Sequence, residues 1–251
     1  MQLHGTRAIV TGAAGGLGAS IARTFAARGA SVAIADIDLV AAEAVAALIE
    51  ADGGIAVPVK LDVASADDWQ HAVRSLVERW GGVDILVNNA AIASGLIRIE
   101  DRTPQDWDRI MAINAKGPFL GTRALIPIMR ADGGGAIVNV SSVAGLGQSQ
   151  IMDPLYACSK AALTMLTKVT AAQHAVDGIR CNSVHPGPID SDLARNAYAE
   201  DGAFERRLSR VPIGRLALID EVVAAVVFLA SSESSYITGT ALPVDGGALI
   251  Q

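Results

Sequence analysis

Apolar runs of strand length alternate along the whole chain with longer segments whose apolar positions recur every three to four residues. The short runs fall at 8–11, 31–36, 56–61, 85–88, 136–141, 180–184 and 241–244, and the helical patterns at 17–28, 39–51, 66–80, 104–131, 155–177 and 218–231. Near-continuous apolar strands separated by helices predict a parallel sheet covered on both faces, because a strand buried on both sides shows no polar alternation. The expected class is α/β, a doubly wound sheet forming a single domain over residues 1–251. Ser65, with Asp68 three residues on, is placed to cap the helix that follows it. There is no internal repeat, low-complexity tract or linker. One stretch breaks the rhythm: 186–212 is irregular and charged and carries Tyr198 and Phe204. An insertion after a late strand of an open α/β sheet lies over the carboxyl edge, where ligands bind. Residues 188–212 are therefore expected to form a substrate-covering loop.

Composition narrows the class. With 51% hydrophobic and 18% charged residues the chain can bury a large core, and its many alanines suit helices packed closely on a sheet. Cys158 and Cys181 are its two cysteines, which argues against a disulfide framework and suits a reducing cytosol. A net charge of -6 gives no basic footprint for nucleic acid. Residues 1–11 run straight into a strand without a basic, apolar signal. The apolar run at 222–230 falls short of the roughly 20 residues a bilayer span needs. The composition points to a cytoplasmic protein with neither a membrane nor a nucleic-acid partner.

The first strand ends in Thr11-Gly12-Ala13-Ala14-Gly15-Gly16-Leu17-Gly18 and becomes a helix. Glycines at such a turn let the backbone approach a phosphate, and the free amides of the helix start form an anion site. The alternative is tight packing alone. The second strand ends at Asp36, 18 residues beyond Gly18. A carboxylate there can accept hydrogen bonds from an adenosine ribose and repels a 2′-phosphate, which favours NAD over NADP. The turn has no lysine or arginine to reverse that preference. Asp62-Val63 closes the third strand, where Asp62 serves either a ligand or a local turn. Asn88-Asn89-Ala90-Ala91 closes the fourth, and buried amides there must organise backbone or ligand.

Tyr156 and Lys160 stand four residues apart, a spacing that places both on one helix face. Free tyrosine, with a pKa of about 10, is a poor base at neutral pH. A cation beside it favours the phenolate and makes it a usable acid or base. An ordinary surface pair is the alternative. Ser141 and Ser142 end the fifth strand, and a hydroxyl there either holds a substrate oxygen or forms a turn. Asn114 sits in the long helical segment three residues before Gly117-Pro118, where the helix is liable to bend. His185 precedes Pro186-Gly187 without a nucleophile pattern, and the four histidines lack metal-ligand spacing. His71 and His174 are expected on helix surfaces. Cys158 lies off the face shared by Tyr156 and Lys160, which suits a structural thiol.

Taken together these residues resemble the short-chain dehydrogenase/reductase family, with its Rossmann-type fold, over essentially the whole chain. Residues 11–18 match the family's TGxxxGxG turn, 88–91 its NNAG segment with Ala91 for the glycine, and 156–160 its YxxxK. Asn182-Ser183-Val184-His185-Pro186-Gly187 matches the strand leading to a Pro-Gly beside the nicotinamide. The resemblance implies a catalytic tetrad. In it Ser142 orients the substrate oxygen and Tyr156 exchanges a proton with it. Lys160 holds the nicotinamide ribose and lowers the tyrosine pKa, while Asn114 supports a water relay to Lys160. Gly12, Gly16, Leu17, Gly18 and Asp36 would also hold NAD by that likeness. Asp62 and Val63 would flank its adenine, Asn89, Ala90 and Ala91 its ribose, and Pro186, Gly187, Ile189 and Ser191 the nicotinamide side. Ser142 precedes Tyr156 by 14 residues, one more than is common in the family, and Ser191 replaces the usual threonine.

The expected activity is hydride transfer between NAD and a secondary alcohol or its ketone. An NADPH-dependent ketoreductase such as a 3-oxoacyl carrier-protein reductase is the rival, but it expects a basic residue where Gly15 or Asp36-Ile37 stands. A non-catalytic dinucleotide sensor should have lost part of the tetrad. The small-molecule substrate is read as an apolar or cyclic alcohol, steroid-like compounds included, walled by Leu146, Ile151, Met152, Leu193, Tyr198 and Phe204 with Gln148 and Gln150 as polar contacts. By the family likeness the chain is expected to be a homo-oligomer, a tetramer or dimer, joined through the helices at 104–131 and 155–177 and the C-terminal segment.

Overall fold

Strand alternation decides the layers here. In β1 (Arg7–Thr11), Ala8 and Val10 point to one face of the sheet and Ile9 to the other. The same holds in β2 (Ser31–Asp36), where Val32 and Ile34 oppose Ala33 and Ala35. The structure, a computed structural model, describes residues 2–93, 97–147, 153–190 and 208–250. Among them β1 and β2 join β3 (Ile55–Lys60), β4 (Ile85–Asn88), β5 (Gly135–Val140), β6 (Ile179–Pro186) and β7 (Ala241–Val244) in one sheet. Its order is β3-β2-β1-β4-β5-β6-β7, with every pair parallel.

One face carries α1 (Gly16–Ala27), α2 (Leu39–Ala51) and α7 (Ile219–Ala230), whose Phe25, Ile49 and Val226 bury against Val10, Ile34 and Val138. The other carries α3 (Ala66–Trp80), α5 (Gly117–Ala131) and α6 (Pro154–His174), with Trp69, Leu125 and Ala171 against Ile9, Leu86 and Ile137. Trp69 lies so close over Gly121 that an added methyl would stand 2.6 Å from its ring. The α/β doubly wound class read from the pattern is thus the observed one.

Local chemistry sets the helix ends. Ser65 Oγ accepts the Asp68 amide at 3.2 Å, and its hydroxyl donates to Asp68 Oδ1 at 2.8 Å, the cap expected at 65. Thr103 and Asp106 form a full capping box at the start of α4 (Pro104–Met111). The helical pattern at 104–131 is divided: α4 passes through a π-turn, Ala112–Lys116, into α5. Proline explains the break. Pro118 has no N–H, so the α-helical bond to the carbonyl of Asn114 cannot form, and the backbone widens there. The pattern at 155–177 ends as helix at His174 and closes through a 3-10 turn, Ala175–Asp177, at Gly178 with φ 74°. Strand β6 runs past 184 to Pro186 because pairing with β7 continues to Pro186↔Val244. Among the described residues no helix is long and apolar enough to cross a membrane.

Candidate active site

The strand order reverses between β1 and β4, so the crevice at their carboxyl ends is the expected ligand position. The glycine turn leaves β1 there, beside the Asn89 segment leaving β4. Thr11 Oγ1 accepts the amides of Asn89 and Ala90 at 3.0 and 3.1 Å, and Asn89 Nδ2 donates to the carbonyls of Thr11 and Gly12 at 2.9 and 3.1 Å. Asn88 turns the other way and donates to Asn139 Oδ1 at 2.8 Å within the sheet. Both asparagines therefore organise backbone and neighbouring side chains.

The glycines divide by purpose. Gly12, at φ 63°, leaves only 2.8 Å between an added methyl and Ala90 Cα, and at Gly18 a methyl would meet the Gly12 carbonyl oxygen at 2.1 Å. Packing alone requires these two. Gly15 and Gly16 have nothing within 4 Å of the position a Cβ would take. Gly15 at φ -168° needs no glycine for its backbone. The start of α1 has no side-chain cap and no acidic residue in its first turn. Its amides and the positive end of the helix dipole thus face open space, an anion cradle of the kind a dinucleotide diphosphate fills. Leu17 follows in that first turn and packs partly buried against the core.

Asp36 reaches this cradle. Its Oδ2 accepts the Ala14 amide at 3.0 Å and its Oδ1 the Asp38 amide at 3.1 Å. At the end of β3, Asp62 Oδ1 accepts the Ala64 amide at 2.9 Å, which is the local turn, while Val63 is buried against Gly117. Ala91 is exposed at the mouth of the crevice.

Lys160 is buried, and its Nζ donates to the Val140 carbonyl at 2.8 Å and lies 5.6 Å from the centre of the Tyr156 ring. Burial pushes its pKa down to about 8. No described carboxylate pairs with it. Ser141 points back into α6, donating to the Lys160 carbonyl at 3.0 Å, and so has a structural task. Ser142 accepts the Ala144 amide at 3.2 Å, which shapes the turn and leaves its hydroxyl hydrogen to give. Asn114 is fully buried in the π-turn. Its Oδ1 accepts the Ile92 amide at 2.9 Å, and both amide hydrogens are spent, on the Ile92 carbonyl at 2.8 Å and Ser159 Oγ at 3.1 Å. Ser159 in turn donates to the Tyr156 carbonyl at 2.8 Å. Asn114, Ser159 and the Tyr156–Lys160 turn are thereby one unit, and the Ser159 link was absent from the sequence reading.

Two further anchors escape sequence reasoning. Arg102 and Asp153 form a buried ion pair, and Asp153 Oδ1 also caps α6 by accepting the Leu155 amide at 3.1 Å, three residues before Tyr156. His185 bonds the Ser142 carbonyl and Ser183 Oγ, both at 2.8 Å. The signal for it was the period of two, which puts Ser183 and His185 on one strand face. His71 lies on a helix surface, whereas His174 is half-buried and pairs with Asp177 at 2.9 Å. Cys158 is exposed, so the structural thiol expected there is not observed.

Pro186 ends β6, and Gly187 and Ile189 continue from it at the same edge, where the Gly187 amide donates to the Val244 carbonyl at 3.0 Å and Ile189 bridges Ala217. Ser191, Gln148, Gln150, Ile151, Met152, Leu193, Tyr198 and Phe204 lie outside the described residues, as does most of the loop at 188–212. A cavity of about 780 Å³ opens at the opposite, amino edge of the sheet, between Asp84, Gly134, Arg180 and Tyr236. It is lined by none of Asn114, Ser142, Tyr156 and Lys160.

A family model described as enoyl-(acyl carrier protein) reductase matches residues 12–248. The chain is 35% identical over 249 residues to a 2,5-dichloro-2,5-cyclohexadiene-1,4-diol dehydrogenase of Sphingobium indicum, covering 98% of this chain and 97% of that one. It is 37% identical over 256 residues to a 3-oxoacyl-[acyl-carrier-protein] reductase of Thermotoga maritima, covering all of both. A crystal structure of a short-chain type dehydrogenase/reductase from Mycobacterium marinum superposes with a TM-score of 0.91 at 34% identity, covering 100% of this chain and 97% of that one.

Proposed function

The chain belongs to the short-chain dehydrogenase/reductase family and is an oxidoreductase working with a nicotinamide dinucleotide, and from that premise we propose that it uses NAD to oxidise a secondary alcohol on an apolar, cyclic substrate. The observation that carries the chemistry is the buried Lys160 ammonium beneath Tyr156, with no described carboxylate to neutralise it. A cation so placed has its charge to give to a phenolate. Asp36 supports NAD, since its carboxylate at the cradle repels a 2′-phosphate and no lysine or arginine stands at 12–18. The cyclic substrate rests on the likeness to the cyclohexadiene-diol enzyme.

In this reading the amides from Gly16 to Gly18 hold the diphosphate and Asp36 the adenosine ribose. Asp62 and Val63 flank the adenine, and Asn89, Ala90 and Ala91 line the ribose. Pro186, Gly187, Ile189 and Ser191 would hold the carboxamide end, and Lys160 and Tyr156 the nicotinamide ribose. A bound nicotinamide would supply the hydride acceptor for the alcohol carbon. Ser142 donates its hydroxyl hydrogen to the substrate oxygen and fixes it in place. Tyr156, as phenolate, takes the alcohol proton, and Lys160 stabilises that phenolate. Asn114 has spent its side-chain hydrogens, so its link to Lys160 runs from the main-chain carbonyl that Pro118 leaves without an α-helical donor, through water.

The acyl-carrier reductase relative favours a second reading, NADPH-dependent reduction of a 3-oxoacyl thioester. Assays of cyclohexane-1,4-diol with NAD and NADP, and of acetoacetyl-CoA with NADH and NADPH, separate the two. Faster oxidation of the diol with NAD supports the dehydrogenase; faster NADPH-driven thioester reduction replaces it.

We also propose a homo-oligomer. Trp107, Phe119, Met165 and Val169 are large apolar side chains left exposed on α4, α5 and α6, as an interface between copies would explain. Light scattering giving a monomer mass at micromolar concentration would contradict it.

A further inference from the structure

We propose that His185 is a positioning residue for this reaction: its Nδ1–H holds the main-chain carbonyl of Ser142 and so sets where the Ser142 hydroxyl points. The proposal rests on the role given to Ser142 above.

Backbone pairing between β5 and β6 runs to Val140↔Val184, and the Ser141 amide then donates to the Val184 carbonyl at 2.8 Å. Pro186 has no N–H to continue the ladder, and the carbonyl of Ser142 is taken by the His185 side chain at 2.8 Å. The imidazole thus ties β6 to Ser142, the residue that leaves the sheet, where the backbone ladder stops. A carbonyl only accepts, so Nδ1 bears the proton and Nε2 is the acceptor. Ser183 Oγ lies 2.8 Å from Nε2 and 3.2 Å from the Thr240 carbonyl, and its one hydrogen goes to the nearer nitrogen, on the same strand face. The ring is fully buried with both nitrogens engaged, and burial lowers its pKa. Strand β6 goes on to Pro186-Gly187, so one side chain joins the serine wall of the crevice to the wall assigned to the nicotinamide.

Three substitutions and one spectrum test this. An asparagine amide can replace Nδ1, a glutamine amide reaches the place of Nε2, and leucine replaces neither. With cyclohexane-1,4-diol and NAD, His185→Asn is expected to keep kcat within about threefold, while His185→Gln and His185→Leu lose tenfold or more with NADH affinity unchanged. Leucine matching wild type, or glutamine outperforming asparagine, overturns the proposal. Imidazole nitrogen NMR of the wild-type protein at pH 7 needs no substrate and should show a neutral Nδ1–H ring. A protonated ring or the Nε2–H tautomer overturns the proposal as well. Wild-type protein inactive toward the diol would count against the assigned activity, and the spectrum would then decide the role of His185 alone.

Discussion

Lys160 Nζ lies 5.6 Å from the centre of the Tyr156 ring while it donates to the Val140 carbonyl at 2.8 Å. One turn of α6 and the end of β5 therefore fix the ammonium between them, inside the protein. A buried charge held by one carbonyl is a poor choice for stability and a good one for stabilising a phenolate.

That conflict is measurable. The folded pKa of Lys160, pushed down to about 8, lies below the ordinary lysine value of about 10.4. Between those values the unfolded chain holds more protons, so this group makes stability rise with pH; below about 8 its full penalty persists. The shift corresponds to about 3 kcal/mol at most. Lys160→Met is expected to abolish turnover while raising stability at pH 7 by about 1–3 kcal/mol, an advantage that shrinks toward pH 10. Urea unfolding at pH 7 and pH 10 checks it; a Met variant less stable than wild type at pH 7 contradicts it.

Removing the phenol hydroxyl should separate binding from chemistry. Tyr156→Phe is expected to bind NADH within about twofold of wild type and to lose about 10²–10⁴ in kcat, the span of a general acid or base. Steady-state rates with cyclohexane-1,4-diol measure this. Turnover within a few-fold of wild type would remove Tyr156 from its assigned role.

The motifs that meet at the crevice were legible because each is local: the turn at Gly12 to Gly18, the pair Asn88 and Asn89, and Tyr156 with Lys160 are short-range patterns at strand or helix ends. The strand periodicity gave the sheet for the same reason. What joins them was not legible. The bonds from Asn114 to Ser159 and Ile92, from Arg102 to Asp153 and from His185 to Ser142 link residues 22 to 51 positions apart, where spacing carries no signal. Ser142 was preferred to Ser141 in the sequence through the family resemblance alone, and the direction of each side chain supports that choice.

Cofactor choice should follow charge at the cradle. Asp36→Asn keeps an acceptor for the Ala14 amide but removes the negative charge, and the ratio of NAD to NADP efficiency is expected to fall at least tenfold. Adding Gly15→Arg, at a position open on its Cβ side and unstrained at φ -168°, should invert the preference. Measured kcat/KM for both cofactors checks this, and an unchanged ratio in the double variant would sink the assignment.

The glycines should also separate by thermal melting. Gly18→Ala drives a methyl to within 2.1 Å of the Gly12 carbonyl oxygen, and is expected to cost about 1–3 kcal/mol or more. Gly15→Ala meets nothing within 4 Å and should leave Tm within a degree or two. Equal losses for the two would mean that the open cradle at Gly15 is misassigned.

The most direct test of the central claim is a titration of the purified protein with NADH and with NADPH, followed by nicotinamide fluorescence. The expected result is tight NADH binding with NADPH at least tenfold weaker, as a carboxylate at the cradle demands. Tighter NADPH binding would contradict the assignment of Asp36 and transfer the activity to the ketoreductase reading, and binding of neither would contradict the site itself.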